Sequence, residues 1–158
     1  MTAAKSTTTK SSSARNSAQV WTDEERAAMQ ESARERKTAS RRGSVDDRAE
    51  GERDVRAKIA ELPTADRVMA ERIHELVTTA APSFVPRTYY GMPAYARDGK
   101  VICFFQPASK FKVRYSTFGF QPDARIDDAE IWPVAFAVTE LTPRSEARIV
   151  ELVKKAAS

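Results

Sequence analysis

Apolar residues are spread unevenly along this chain, and their spacing divides it into three regimes. Residues 1–20, MTAAKSTTTKSSSARNSAQV, hold three basic residues, no acid and almost nothing able to enter a core. Such a segment cannot offset its ordering entropy, so a disordered basic tail is predicted. Residues 21–51 carry helix signals without a stripe. Thr22 followed by Glu25 makes a capping box, Asp23 and Glu24 sit in the first turn, and the helix is predicted to reach about Thr38. Its apolar positions, Ala27, Ala28, Met29 and Ala33, form no face wide enough to bury, which predicts a solvated helix. GSVDDRAEG, residues 43–51, reads as a linker bounded by glycines.

From Glu52 the pattern is that of a folded domain, residues 52–158. Val55, Ile59 and Leu62 fall at i, i+4 and i+7, one helical stripe ended by Pro63. Thr64 is expected to cap a second helix with Met69, Ile73, Leu76, Val77 and Ala80 on one face. The period then shortens to two. Tyr89–Tyr90 reads as a short strand broken by Gly91-Met92-Pro93, where a positive-φ residue and a proline predict a kink or bulge. Ala94 to Arg97 resumes the strand, and Asp98-Gly99 is a two-residue hairpin signal. Lys100 to Gln106 contains Val-Ile-Cys-Phe-Phe unbroken, as expected of a central strand.

After a turn at 107–110, Phe111, Val113 and Tyr115 alternate with Lys112, Arg114 and Ser116, predicting a strand with one wet face. Val134 to Val138 is the last predicted strand. Thr142-Pro143 opens a final helix whose apolar face is Ile149, Leu152 and Val153. Together these elements predict an α+β fold: a two-layer sandwich with an antiparallel sheet of about five strands, helices on one face, and an extra N-terminal helix behind a mobile arm.

Composition narrows the function classes. The chain has 158 residues, 41% hydrophobic and 30% charged, enough for one domain. The single Cys103 rules out an intrachain disulfide, and with one histidine a Cys/His zinc site within one chain is excluded. No apolar run approaches the roughly 18 residues of a membrane span, and no secretory signal is read at the N-terminus, so a cytoplasmic location without membrane contact is expected. The net charge of +4 is mild and spread over mixed-sign segments.

Five sets of residues carry a chemical reading. Cys103 lies among Val101, Ile102, Phe104 and Phe105, an apolar setting that argues for core packing over nucleophilic catalysis. Glu71, His74 and Glu75 share one helix face at i, i+3 and i+4, the spacing at which carboxylate and imidazole converge on an ion. A solvated face, with Arg67 and Arg72 competing for the acids, is the favoured alternative. Asp127, Asp128 and Glu130 form a second acidic cluster, read as a solubilising loop. Lys110, Lys112 and Arg114 make a basic row which, beside Tyr89, Tyr90 or Tyr95, offers charge and stacking surface to an anionic aromatic ligand. The same row is also a guard against edge aggregation. A basic cluster closing the first helix, Arg34, Arg36, Lys37, Arg41 and Arg42, suits nucleic-acid backbones and acidic proteins alike.

The run Tyr90-Gly91-Met92-Pro93-Ala94, followed by DGKVICFFQP and KFKVRYSTFGF, resembles the YdhG-like bacterial domain family over about residues 54 to 156. That resemblance implies a compact α+β sandwich, and, because one branch includes frataxin-like iron chaperones, it implies iron binding by exposed carboxylates. It maps no ligand set onto this chain, whose pI of 9.3 departs from the acidic character of such a chaperone. The expectation is therefore a non-catalytic binding or accessory protein whose small ligand or protein partner is undefined. Its alternatives are an iron chaperone and a module that binds nucleic acid or another polyanion through the basic arm and row.

Overall fold

Two tight turns organise the sheet. The computed structural model describes residues 20–41 and 47–158. Residues 1–19 of the expected tail and 43–46 of the expected linker lie outside the described residues. Strands β1 (Val85–Tyr89), β2 (Met92–Arg97) and β3 (Lys100–Gln106) are joined by Tyr90-Gly91 and Asp98-Gly99, with all four turn residues at positive φ. Paired left-handed residues match the twist of antiparallel strands, so both turns close two-residue hairpins. Strands β4 (Ser116–Phe120) and β5 (Ala135–Val138) complete a five-stranded antiparallel meander in sequence order.

The Gly-Met-Pro run is thus the end of a hairpin, not the bulge expected between strands. Tyr89 stands opposite Met92 and Thr88 opposite Pro93, while the β2–β3 register begins at Ala94 opposite Phe104. Pro93 has no N–H to give and sits where the β3 ladder has not begun. The irregularity falls further on, between Tyr95 and Ala96, where Ile102 is left without a cross-strand partner. Both Ile102 and Cys103 consequently join the core.

The other layer comprises α2 (Asp47–Ala60), α3 (Thr64–Ala80) and α5 (Pro143–Ala157). Val55 and Ile59 of α2, Ile73 and Val77 of α3, and Leu152 and Val153 of α5 cluster with Tyr95, Cys103, Phe105 and Phe118 of the sheet. The α+β architecture with helices on one face is as the sequence predicts. Two details differ. Helix α2 starts at Asp47, inside the expected linker, and α3 is capped at Pro63 with no side-chain bond from Thr64.

Gly51 explains why α2 takes a glycine in mid-helix. A side chain there would collide with the carbonyl of Pro86 on β1, so helix and strand meet backbone to backbone. Replacing an interior helical glycine by alanine ordinarily stabilises by about 1 kcal/mol. Here the collision should win. Gly51→Ala is expected to destabilise by about 1–3 kcal/mol, the range for overpacking a tight contact, and to lower the urea midpoint. A raised midpoint would show that α2 is not seated this closely.

Candidate functional site

A two-residue hairpin turn leaves the N–H groups of its central residues without a strand to bond. At Tyr90-Gly91 those groups point at helix α1 (Asp23–Ala39), and both are taken by one carboxylate. Tyr90 N–H donates to Glu35 Oε2 at 2.9 Å and Gly91 N–H to Glu35 Oε1 at 2.8 Å. Successive backbone N–H groups of this kind form an anion-binding concavity.

The same helix face continues the pattern. Glu31 accepts from Lys58 Nζ at 3.3 Å through Oε1 and from Lys110 Nζ at 3.2 Å through Oε2. Glu24 pairs with Lys112. Between them Ala28 is 3% exposed and Ser32 is 8% exposed. Glu24, Ala28, Glu31 and Glu35 stand at i, i+4, i+7 and i+11, the spacing of a buried stripe, with carboxylates in place of apolar side chains. Gly91 is required twice over. Its φ of +73° is left-handed, and a side chain there would occupy the position of the Glu31 carboxylate.

Three elements supply the receiving surface: Lys58 from α2, the β1–β2 turn, and the short helix α4 (Ala108–Phe111) with the residue that follows it. Pro107 caps α4 and Lys112 ends it in a left-handed conformation, placing Lys110 and Lys112 toward α1. Electrostatics agree with these pairings. Burial pulls the Lys58 ammonium down, but the charges of Glu31 and Glu61 outweigh it and hold its pKa above the ordinary value. The hydrogen bond from Lys112 holds Glu24 below the usual carboxylate range.

No match to the chain is found among family profiles, curated proteins or solved structures. The site is therefore read from its own atoms.

The residues singled out in the sequence separate clearly. The basic row is not on a strand: 108–111 is helical, β4 starts at Ser116, and Val113 and Tyr115 are 46% and 38% exposed. Lys110, Lys112 and the Tyr90 N–H nevertheless converge under α1. Arg114 instead stacks on Tyr115 at 5.2 Å. The Tyr90 ring packs edge-on against Tyr89, with centroids 4.7 Å apart.

Glu71, His74 and Glu75 do not converge. His74, expected on a solvated helix face or at a metal site, is buried, because α3 turns Ala70, Ile73, His74 and Val77 inward. Its Nδ1 meets the Tyr95 hydroxyl at 3.1 Å and its Nε2 meets Glu52 at 2.9 Å. Burial raises the Glu52 pKa, but bonds to His74 and Arg56 outweigh it and the net direction is down. Glu75 pairs with Arg72, and Glu71 is exposed. Asp127, Asp128 and Glu130 are also exposed. Among the described residues, no three His, Cys, Asp or Glu side chains are grouped to hold a metal ion. No described helix is long and apolar enough to cross a membrane.

Glu24, Glu31, Glu35 and Lys58 escaped the sequence reading. Their signal is an acid-small-acid-acid stripe at helical spacing, which a search for apolar faces passes over.

Cys103 is fully buried, and desolvation pushes its thiol far above the usual range. In the native chain at pH 8 it should not react with a thiol reagent, and one equivalent should label on unfolding in guanidinium. Fast labelling of the folded chain would return Cys103 to the candidate nucleophiles.

Proposed function

We propose that this chain is a non-catalytic binding protein whose ligand presents an anionic group to the Tyr90–Gly91 turn, with Lys110 and Lys58 supplying the countercharge. The observation that carries this reading is the two-point capture of the Glu35 carboxylate by consecutive backbone N–H groups. A carboxylate held this way stands in for a carboxylate or phosphate oxygen pair brought by another molecule. The contacts at the turn are backbone amides and ammonium groups, which hold an anion, and Cys103 and His74 both lie in the core. The turn is also the Tyr-Gly-Met-Pro-Ala run on which the YdhG-like resemblance rests, so both readings fall on the same residues. The iron-handling alternative draws no support from Glu71, His74 and Glu75, which point apart.

The test uses the full chain with Glu31→Ala and Glu35→Ala together, which vacates the turn without touching the core cluster. Sodium acetate and inorganic phosphate are titrated at low ionic strength while the backbone amide resonances are followed. The Tyr90 and Gly91 amides are expected to shift saturably in the double variant and far less in the wild type. Adding Lys110→Ala should weaken the response severalfold. Uniform, non-saturating shifts, or none, would overturn the anion-binding reading.

A further inference from the structure

The anion sockets are too widely spread for one small ion. Glu24 and Glu35 are eleven residues apart on α1, which at the helical rise is about 16 Å. Along that length the receiving surface offers Lys112, then Lys110 with Lys58, then the N–H pair of Tyr90 and Gly91. Between the sockets Ala28 is buried at 3% exposure. A surface with cations at one helical spacing, and room for a helix backbone between them, is shaped for an acidic helix.

Helix α1 itself is held in a way that permits exchange. Its described contacts are carboxylates on ammonium groups and amides, without a large apolar anchor, and none of its residues belongs to the main core cluster. Hollows lie along two of its flanks. One of about 290 Å³ is lined by Arg34, Thr38, Asp54 and Arg87, and another of about 240 Å³ by Lys58, Leu62, Pro63 and Ser109. Glu31 and Glu35 at i, i+4 repel each other in a free helix, a small cost that the seat offsets, while the Thr22–Glu25 capping box and the charges at the two ends support α1 from within.

We propose that this cradle binds an acidic helical segment of a partner protein, and that α1 is a tethered mimic which occupies the cradle until the partner displaces it. The proposal rests on the anion-binding reading of the Tyr90–Gly91 turn and adds the class of ligand. Charge complementarity along one helical face selects this occupant over a nucleic acid, whose backbone has no counterpart to the Ala28 approach. A tethered helix competes at an effective concentration on the order of millimolar, so a partner must bring a better stripe or a higher local concentration.

The experiment uses a fluorophore-labelled peptide of residues 20–41, capped at both ends, as the acidic helix. It is titrated with full-length wild-type chain and with the full-length Glu31→Ala/Glu35→Ala variant, whose folding is checked by its thermal transition. The variant is expected to bind the peptide at least about tenfold more tightly than the wild type does, since its own α1 no longer competes. A peptide with glutamine at 24, 31 and 35 should lose that binding, as should the variant carrying Lys58→Ala and Lys110→Ala. If phosphate and acetate shift the Tyr90 and Gly91 amides but the peptide does not bind, or the glutamine peptide binds equally, helix recognition is overturned while anion binding stands. If neither the ions nor the peptide bind, both fall. Displacement of bound peptide by duplex DNA at lower concentration than by unlabelled peptide would overturn the protein-helix assignment in favour of a nucleic acid.

Discussion

A hairpin closed by two residues must leave two backbone N–H groups outside its ladder, and the whole of this structure is arranged around that fact. Positive φ at Tyr90 and Gly91 sets Tyr89 opposite Met92, which fixes the register of β1 on β2 and so turns Tyr95 toward the helices. One residue of slip would exchange the faces of every strand residue that follows. The same geometry aims the two orphan donors away from the sheet. Fold and site are thus two consequences of one turn, and the glycine that permits the conformation also clears the space for Glu31.

The core is closed without help from α1. Tyr95, buried in the sheet, meets His74, and His74 meets Glu52, so a polar relay crosses from sheet to α3 to α2 with its members satisfied. Removing any one of them would strand a buried polar atom, which makes this relay a structural device and accounts for a histidine that resembled a ligand in the sequence. Helix α1 stands apart from that network. Individual exposed ion pairs contribute about 0.2–1 kcal/mol, and backbone donors to a carboxylate somewhat more. The seat therefore holds the helix by a sum of modest polar contacts around the buried Ala28 and Ser32, and none of its residues enters the main core cluster.

How much of this was legible follows from which residues signal through hydropathy. The Asp98-Gly99 hairpin, the unbroken strand that follows it, the Thr22–Glu25 capping box, the Thr142-Pro143 helix start and the buried thiol are carried by turn chemistry and apolar period, and those survive into the structure. The Phe111–Tyr115 alternation misled because period two marks a strand only when a neighbouring strand takes it up. Here β3 pairs with Thr117–Phe120, and Val113 and Tyr115 stay largely in water. The buried face of α3 runs through Ala70, Ile73, His74 and Val77, while Met69 and Leu76 are only half-buried, so the apolar stripe pointed to one side of the true inward direction and left His74 off it. The α1 site was invisible for a different reason. Its stripe is made of glutamates, and an acidic stripe becomes recognisable only when the lysines that meet it, 27 to 88 residues away along the chain, are placed in space.

The sign of the exposed charge distinguishes the docked helix from a bare basic handle. With α1 seated, its acids face the lysines of the cradle, and the side left in water carries Arg26, Arg34, Arg36 and Lys37. A generic polyanion can meet that outer side without moving anything, and such contact would depend on salt but not on the Tyr90–Gly91 turn. The cradle beneath asks for more: carboxylates at helical spacing, one of them aligned on two N–H bonds, and a small residue between. On the proposed reading, long-range attraction and short-range fit are placed on opposite sides of one helix, and a ligand satisfying the second would be the one to lift it.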